Sequence, residues 1–115
     1  MSDGPIDPSV FAELAEATGA EFAQELLGTF LDEASPLIDE LKDAATAADP
    51  DRYRRAAHSL KSNAQTFGAQ ALANLARDLE INGFSTDQNA NQMQHAALVG
   101  EYERASSALK ALTND

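Results

Sequence analysis

Asp49-Pro50-Asp51-Arg52-Tyr53-Arg54-Arg55-Ala56-Ala57-His58-Ser59-Leu60-Lys61-Ser62-Asn63-Ala64-Gln65-Thr66-Phe67-Gly68 marks both ends of a helix by its own chemistry. Asp49 is an N-cap type followed by proline at the first helical position, where a missing N–H costs nothing. Gly68 supplies the left-handed residue that stops a helix cheaply. Between them Tyr53, Ala56, Leu60, Ala64 and Phe67 recur at three- and four-residue spacing, one apolar stripe. At ~100° per residue, Arg54, Arg55, Lys61, Ser62 and Gln65 fall within about 60° of His58, on the opposite side. His58 is therefore expected in solvent, in the middle of a polar and mostly basic surface.

The same punctuation recurs outward along the chain. Asp7-Pro8 caps a short first helix with Val10, Phe11, Leu14 and Ala15 as its stripe, ended by Thr18-Gly19. A second helix is predicted over residues 20–48, with Phe22, Leu26, Phe30, Leu37, Leu41 and Ala45 near one face. Pro36 lies inside it and removes a backbone donor. The stripe stays in phase past the proline, so one kinked helix is expected rather than two. The fourth helix is predicted over residues 69–82, with Leu72, Leu75, Ala76 and Leu79 inward and Gly83 as its stop. Phe84-Ser85-Thr86-Asp87 then forms a loop and a new cap. A last helix follows over residues 88–112, with Leu98, Tyr102, Ala105, Leu109 and Leu112 as its stripe. No strand alternation interrupts the helical period. Long amphipathic helices with short connections pack antiparallel. The expectation is an all-α, up-down-up-down four-helix bundle of the second to fifth helices, capped by the short first one, in a single domain over residues 1–115.

Composition narrows the function classes. The hydrophobic fraction of 43% provides for one core at 115 residues, not two, and is too high for a disordered chain. There is no cysteine, which excludes disulfides and thiolate metal sites and agrees with a reducing, cytoplasmic setting. The formal net charge of −11 makes nucleic acid and anionic membrane poor partners. No apolar run approaches a membrane span, and Met1-Ser2-Asp3-Gly4-Pro5 lacks the start of a signal peptide. The initial methionine and the polar end Thr113-Asn114-Asp115 are what a stand-alone protein is expected to show, a domain cut from a larger kinase being the alternative, and a self-sufficient bundle is expected to be a monomer.

With so few cations their placement carries information. Arg52, Arg54, Arg55 and Lys61 are four of the eight Lys and Arg residues and lie within ten residues. A neutral imidazole is a competent nucleophile near neutral pH. Lys61, one turn from His58, could neutralise the oxygens of a transferred phosphoryl group, and Ser62 is small enough to let a partner approach. A basic patch on an acidic protein suits an acidic partner pocket. Spacing alone leaves open that His58 is an ordinary solvated histidine among solvated arginines. His95, three residues before Leu98, reads as a histidine at the core boundary, and Asn63 as a residue hydrogen-bonded within the bundle.

Ala57-His58-Ser59-Leu60-Lys61-Ser62, then Phe67-Gly68, then Leu72, Leu75 and Leu79-Glu80, resembles the signature of histidine-containing phosphotransfer (HPt) domains. The motif occupies residues 57–80, and the five-helix pattern extends the likeness over nearly the whole chain. The resemblance implies a phosphorelay carrier without autokinase activity, whose His58 is phosphorylated on Nε2. It implies that Lys61 stabilises the phosphoryl group and that Glu80 accepts a hydrogen bond from His58 Nδ1, fixing the tautomer. Ser62 stands where the family most often has glycine. For Glu80, an ion pair with Arg77 is the competing expectation. Arg54, Arg55, Ser62 and Gln65 would meet the partner, a response-regulator receiver domain or a hybrid sensor histidine kinase. The chain would need no cofactor of its own, the receiver bringing Mg²⁺. The competing readings are a non-catalytic helical adaptor, a phosphatase acting on a receiver, and a di-metal bundle. The last needs Glu-x-x-His pairs, and neither His58 nor His95 has a glutamate three residues before it.

Overall fold

The computed structural model describes residues 4–113; Met1, Ser2, Asp3, Asn114 and Asp115, on which the reading of the termini partly rested, lie outside them. Five helices follow in order: α1 Pro8–Thr18, α2 Ala20–Thr46, α3 Pro50–Thr66, α4 Gln70–Asn82 and α5 Gln88–Thr113. No strand occurs among the described residues. α3 packs against α2 and α4, and α5 against the same two, closing a four-membered ring, with α1 laid against α2 and α5. Cross-contacts fix the antiparallel order. Glu40 near the end of α2 meets Arg52 at the start of α3, and Gln24 near the start of α2 reaches the Thr113 carbonyl at the end of α5. Tyr102 of α5 donates its hydroxyl to the Leu31 carbonyl of α2 at 2.9 Å.

The expected caps are in place. Asp7 accepts from the Ser9 amide, Asp49 from the Arg52 amide and Asp87 from the Asn89 amide, each satisfying a donor that a helix start leaves orphaned. α3 closes in a Schellman arrangement, Ala69 N donating to Ala64 O and Gly68 N to Gln65 O. Gly68 takes φ +70° there, and a Cβ would lie 2.7 Å from the Asp7 carbonyl and 2.8 Å from Val10 Cβ. That contact exists because Asp7 N donates to Gly68 O at 2.7 Å, docking the start of α1 on the α3–α4 turn. α2 closes by the same pair of bonds, Asp49 N to Ala44 O and Ala48 N to Ala45 O. Here alanine, not glycine, holds the left-handed position, with Ala48 at φ 56°. This turn ends α2 at Thr46, two residues before the predicted limit.

The predicted stripe is the observed core in α3, and in α4 except that Leu75 is only partly covered while Ala73 is buried. α2 runs unbroken across Pro36, as expected, but its buried face is turned by one residue. Ala23, Leu27, Phe30, Ala34, Ile38, Leu41, Ala44 and Ala45 are buried, whereas Phe22 is 51% exposed and Leu26 and Leu37 only partly covered. Large residues suggested the wrong centre line. Fully covered alanines at 23, 34 and 44 let neighbouring helices approach along the adjacent line. Leu112, expected inside, is exposed in the last turn of α5. Leu41, Leu60, Leu72, Leu98 and Leu109 fill the centre, and Phe30 stacks on Phe67 at 5.0 Å between ring centroids. No helix of the described residues is long and apolar enough to cross a membrane.

Candidate phosphoryl-transfer site

Burial of Tyr53, Ala56, Ala57, Leu60 and Ala64 fixes the rotation of α3, and that rotation turns His58 outward with 58% of its side chain exposed. α4 lies antiparallel beside it, anchored by Leu72, Ala73, Ala76 and Leu79. Glu80, next to buried Leu79, is thereby carried to the α3 seam. Its Oε2 lies 2.8 Å from His58 Nδ1 and its Oε1 lies 2.8 Å from Lys61 Nζ. Both carboxylate oxygens are therefore engaged, each by a different residue of α3 separated by three positions. Lys61 and Glu80 are about four-fifths covered, so this pair is better shielded than a surface ion pair. The Lys61 ammonium first and the His58 ring second hold the Glu80 carboxyl below the usual glutamate range.

An ionised carboxylate only accepts hydrogen bonds. Nδ1 facing Glu80 must therefore carry the proton, which leaves the lone pair of the neutral ring on Nε2. Nε2 has no hydrogen-bond partner among the described residues. The imidazole is held at one nitrogen and open at the other.

Each sequence-predicted residue can now be placed. His58, Lys61 and Glu80 come together, but Lys61 reaches His58 through the shared carboxylate. Arg77, the competing partner of Glu80, forms no ion pair with it. Arg54, Arg55, Ser62 and Gln65 are exposed on the His58 side of α3. Arg54 lies 3.8 Å from Asp51, and Arg55 adds its field to that of Arg52 at Glu40. Arg52, the fourth cation of the cluster, is turned to α2 and forks onto Glu40 with two 2.9 Å bonds, so it fastens helices and is withdrawn from the patch. The opposite wall was missed by the sequence reading. Asp32, Glu33, Pro36 and Leu37 of α2 line a groove with His58, Ser59, Ser62 and Asn63. Glu33 and Leu37 sit one turn apart next to the buried line of α2, a signal hidden by the misplaced stripe. Asn63, expected to bond within the bundle, faces this groove. Among the described residues no group of three or more His, Cys, Asp or Glu is placed to hold a metal.

This architecture, a bundle presenting one histidine from its third helix, defines a class. The model of the Hpt domain family matches residues 25–112, and the chain belongs to that family. It is 35% identical over 79 residues to the Sensor protein TorS of Escherichia coli (strain K12), a match covering 69% of this chain and 9% of that protein. The chain thus corresponds to a small part of that relative's length. In fold it is similar to the crystal structure of histidine-containing phosphotransfer protein B (HptB) from Pseudomonas aeruginosa PAO1, with a TM-score of 0.72 and 27% identity. That likeness covers 97% of this chain and 93% of the other. The chain is a histidine phosphotransfer domain of the two-component phosphorelay type.

Proposed function

We propose that His58 is the phosphoryl carrier of this domain and passes the group between aspartates of receiver domains. The observation that carries this is the exposed ring bonded through Nδ1 to Glu80 at 2.8 Å. The Nε2 lone pair attacks the phosphorus of an aspartyl phosphate, the N–P bond forms, and the P–O bond to the aspartate breaks with its electrons leaving on the carboxylate. The Nδ1 proton stays in place. The ring gains positive charge during this step, and Glu80 is already positioned to balance it. Delivery to a second receiver is the reverse reaction at a new aspartate. Arg54, Arg55, Ser62 and Gln65 meet the partner, the arginines attracting its acidic face.

The domain acts as a carrier without autokinase activity and needs no cofactor of its own. Mg²⁺ belongs to the receiver's acidic pocket. Receiver domains and a hybrid sensor kinase are the partners. The strongly acidic charge disfavours nucleic acid and anionic membrane, the absence of cysteine agrees with a reducing cytoplasm, and the self-sufficient bundle favours a monomer. The test is transfer of labelled phosphate from pre-charged receivers. Acid-labile, base-stable label should appear on the wild-type chain and be absent from His58→Gln. No label from any receiver would favour an adaptor. Loss of receiver phosphate with no transient label under rapid quench would favour a phosphatase.

A further inference from the structure

A phosphoryl group on His58 presents three strong acceptor oxygens, and few donors of this chain are placed to meet them. The two nitrogens of an imidazole direct their bonds to opposite edges of the ring. His58 Nδ1 is turned to Glu80 of α4, so Nε2 faces away from α4, toward the groove that His58 shares with α2. Lys61 Nζ is engaged on the α4 side, 2.8 Å from Glu80. The α2 wall brings the carboxylates of Asp32 and Glu33, which repel a phosphoryl group. The donors lining the groove are Ser59, Ser62 and Asn63. At ~100° per residue Ser62 lies about 40° from His58, against about 100° for Ser59 and about 140° for Asn63. Residues four apart are also neighbours on a helix surface. The helical threonines Thr18, Thr29, Thr46 and Thr66 each bend their hydroxyl back to the carbonyl four residues earlier. Ser62 is exposed, and its hydroxyl makes no hydrogen bond among the described residues.

We propose that the Ser62 hydroxyl binds the phosphoryl group carried on His58 Nε2, donating a hydrogen bond to one of its oxygens. Ser62 is then a catalytic residue of the transfer as well as part of the docking face, and it holds phosphate on this domain against return to the receiver. The bond is charge-assisted, because the accepting oxygen is ionised. Glycine, the residue most often found at this position in the family, offers no such donor. The proposal rests on the reading of Nε2 as the atom that accepts the phosphoryl group.

Equilibrium separates binding of the phosphoryl group from docking. A residue that only meets the receiver changes forward and reverse transfer alike and leaves the partition of phosphate between free receiver and free domain unchanged. Ser62→Ala and Ser62→Gly should each shift that partition about fivefold toward the receiver, as for loss of one charge-assisted hydrogen bond at an exposed site. Ser59→Ala should shift it less than about twofold, since its side chain points to another side of the helix. Alanine raises helix propensity and glycine lowers it, so agreement of the two variants at position 62 excludes an effect of helix stability. A second measurement needs no receiver. Phosphoramidate charges His58 directly: its P–N bond breaks, ammonia leaves and the Nε2–P bond forms. In hydrolysis water then takes the phosphoryl group and the electrons of the N–P bond return to Nε2. That transition state is loose and metaphosphate-like, with less charge on the oxygens than in the bound group. Loss of the hydrogen bond should therefore shorten the phosphohistidine half-life about twofold to fivefold. An unchanged partition in Ser62→Ala, an equal shift in Ser59→Ala, or a longer half-life in Ser62→Ala would overturn the proposal. Receiver transfer with an unchanged partition keeps the carrier function and rejects the role of Ser62. A shortened half-life in phosphoramidate-charged protein that no receiver charges upholds the role of Ser62 and rejects the carrier function. Label on His58 from neither donor rejects both.

Discussion

His58 projects from α3 into solvent with one ring nitrogen bonded to a carboxylate, whereas His95 of α5 is partly buried and its Nε2 is sealed from water with no partner. His95 lines a pocket of the bundle together with Leu41, Ala45, Tyr53, Asn91 and Leu98. The two residues share intrinsic chemistry and differ in what surrounds them. One has its tautomer set from outside and an approach for a partner. The other has no carboxylate bonded to its ring among the described residues, and its Nε2 is covered. On the proposed function, neighbouring helices and not histidine itself decide which ring reacts.

The largest expected effect separates these two sites. Replacing His58 with glutamine should abolish labelling by a charged receiver, while His95→Gln should leave transfer within about twofold of wild type, since surroundings and not ring chemistry decide reactivity. Label surviving at His95 would break the comparison. Next in size is the scaffold beneath His58. Gly68→Ala forces a left-handed alanine against the Asp7 carbonyl and Val10, and should cost about 2–4 kcal/mol in denaturant unfolding. A neutral result would mean that α1 is not docked on the α3–α4 turn. His95→Leu should keep transfer intact and raise stability by about 1 kcal/mol, because a buried unpaired polar atom is removed. A clear loss of stability would show that Nε2 is satisfied in solution. Ala48→Gly relieves the left-handed alanine at the end of α2 and should stabilise by about 0.5–1 kcal/mol.

The smallest effect is on acid stability. Glu80 is held below its ordinary value by Lys61 and then His58. Its contribution is complete above the unfolded value of about 4.3 and lost as pH falls through the lower folded value. Wild type should therefore lose more thermal stability than Glu80→Gln on acidification below about pH 5. Parallel acid profiles would remove the linkage. Glu40, lowered chiefly by its bond from Arg52, follows the same sign and remains in both proteins.

Much of this was legible in the sequence, unevenly. The stretch from Asp49 to Gly68 carried its caps, its buried stripe and its exposed histidine in local chemistry, and the structure has each where expected. The spacing to Glu80 could be read only by resemblance, because the meeting of α3 and α4 depends on the turn at Gly68 and the register of two buried faces. α2 was less legible. Its core line runs through alanines, which carry little hydrophobic weight in a periodic pattern yet permit the closest packing. The groove wall at Glu33 and Leu37 was lost with it. The attachment of Lys61 to Glu80 was also hidden, since spacing places a cation near His58 but does not show which anion it will choose.

In the proposed reaction Nε2 of His58 carries the phosphoryl group while Nδ1 keeps its proton against Glu80. The direct measurement is ³¹P–¹⁵N NMR of the histidine-labelled protein after charging by a receiver. Phosphorus should couple to Nε2 of His58, with Nδ1 still protonated. Phosphorus on Nδ1, on His95 or on a carboxylate of this chain would contradict it.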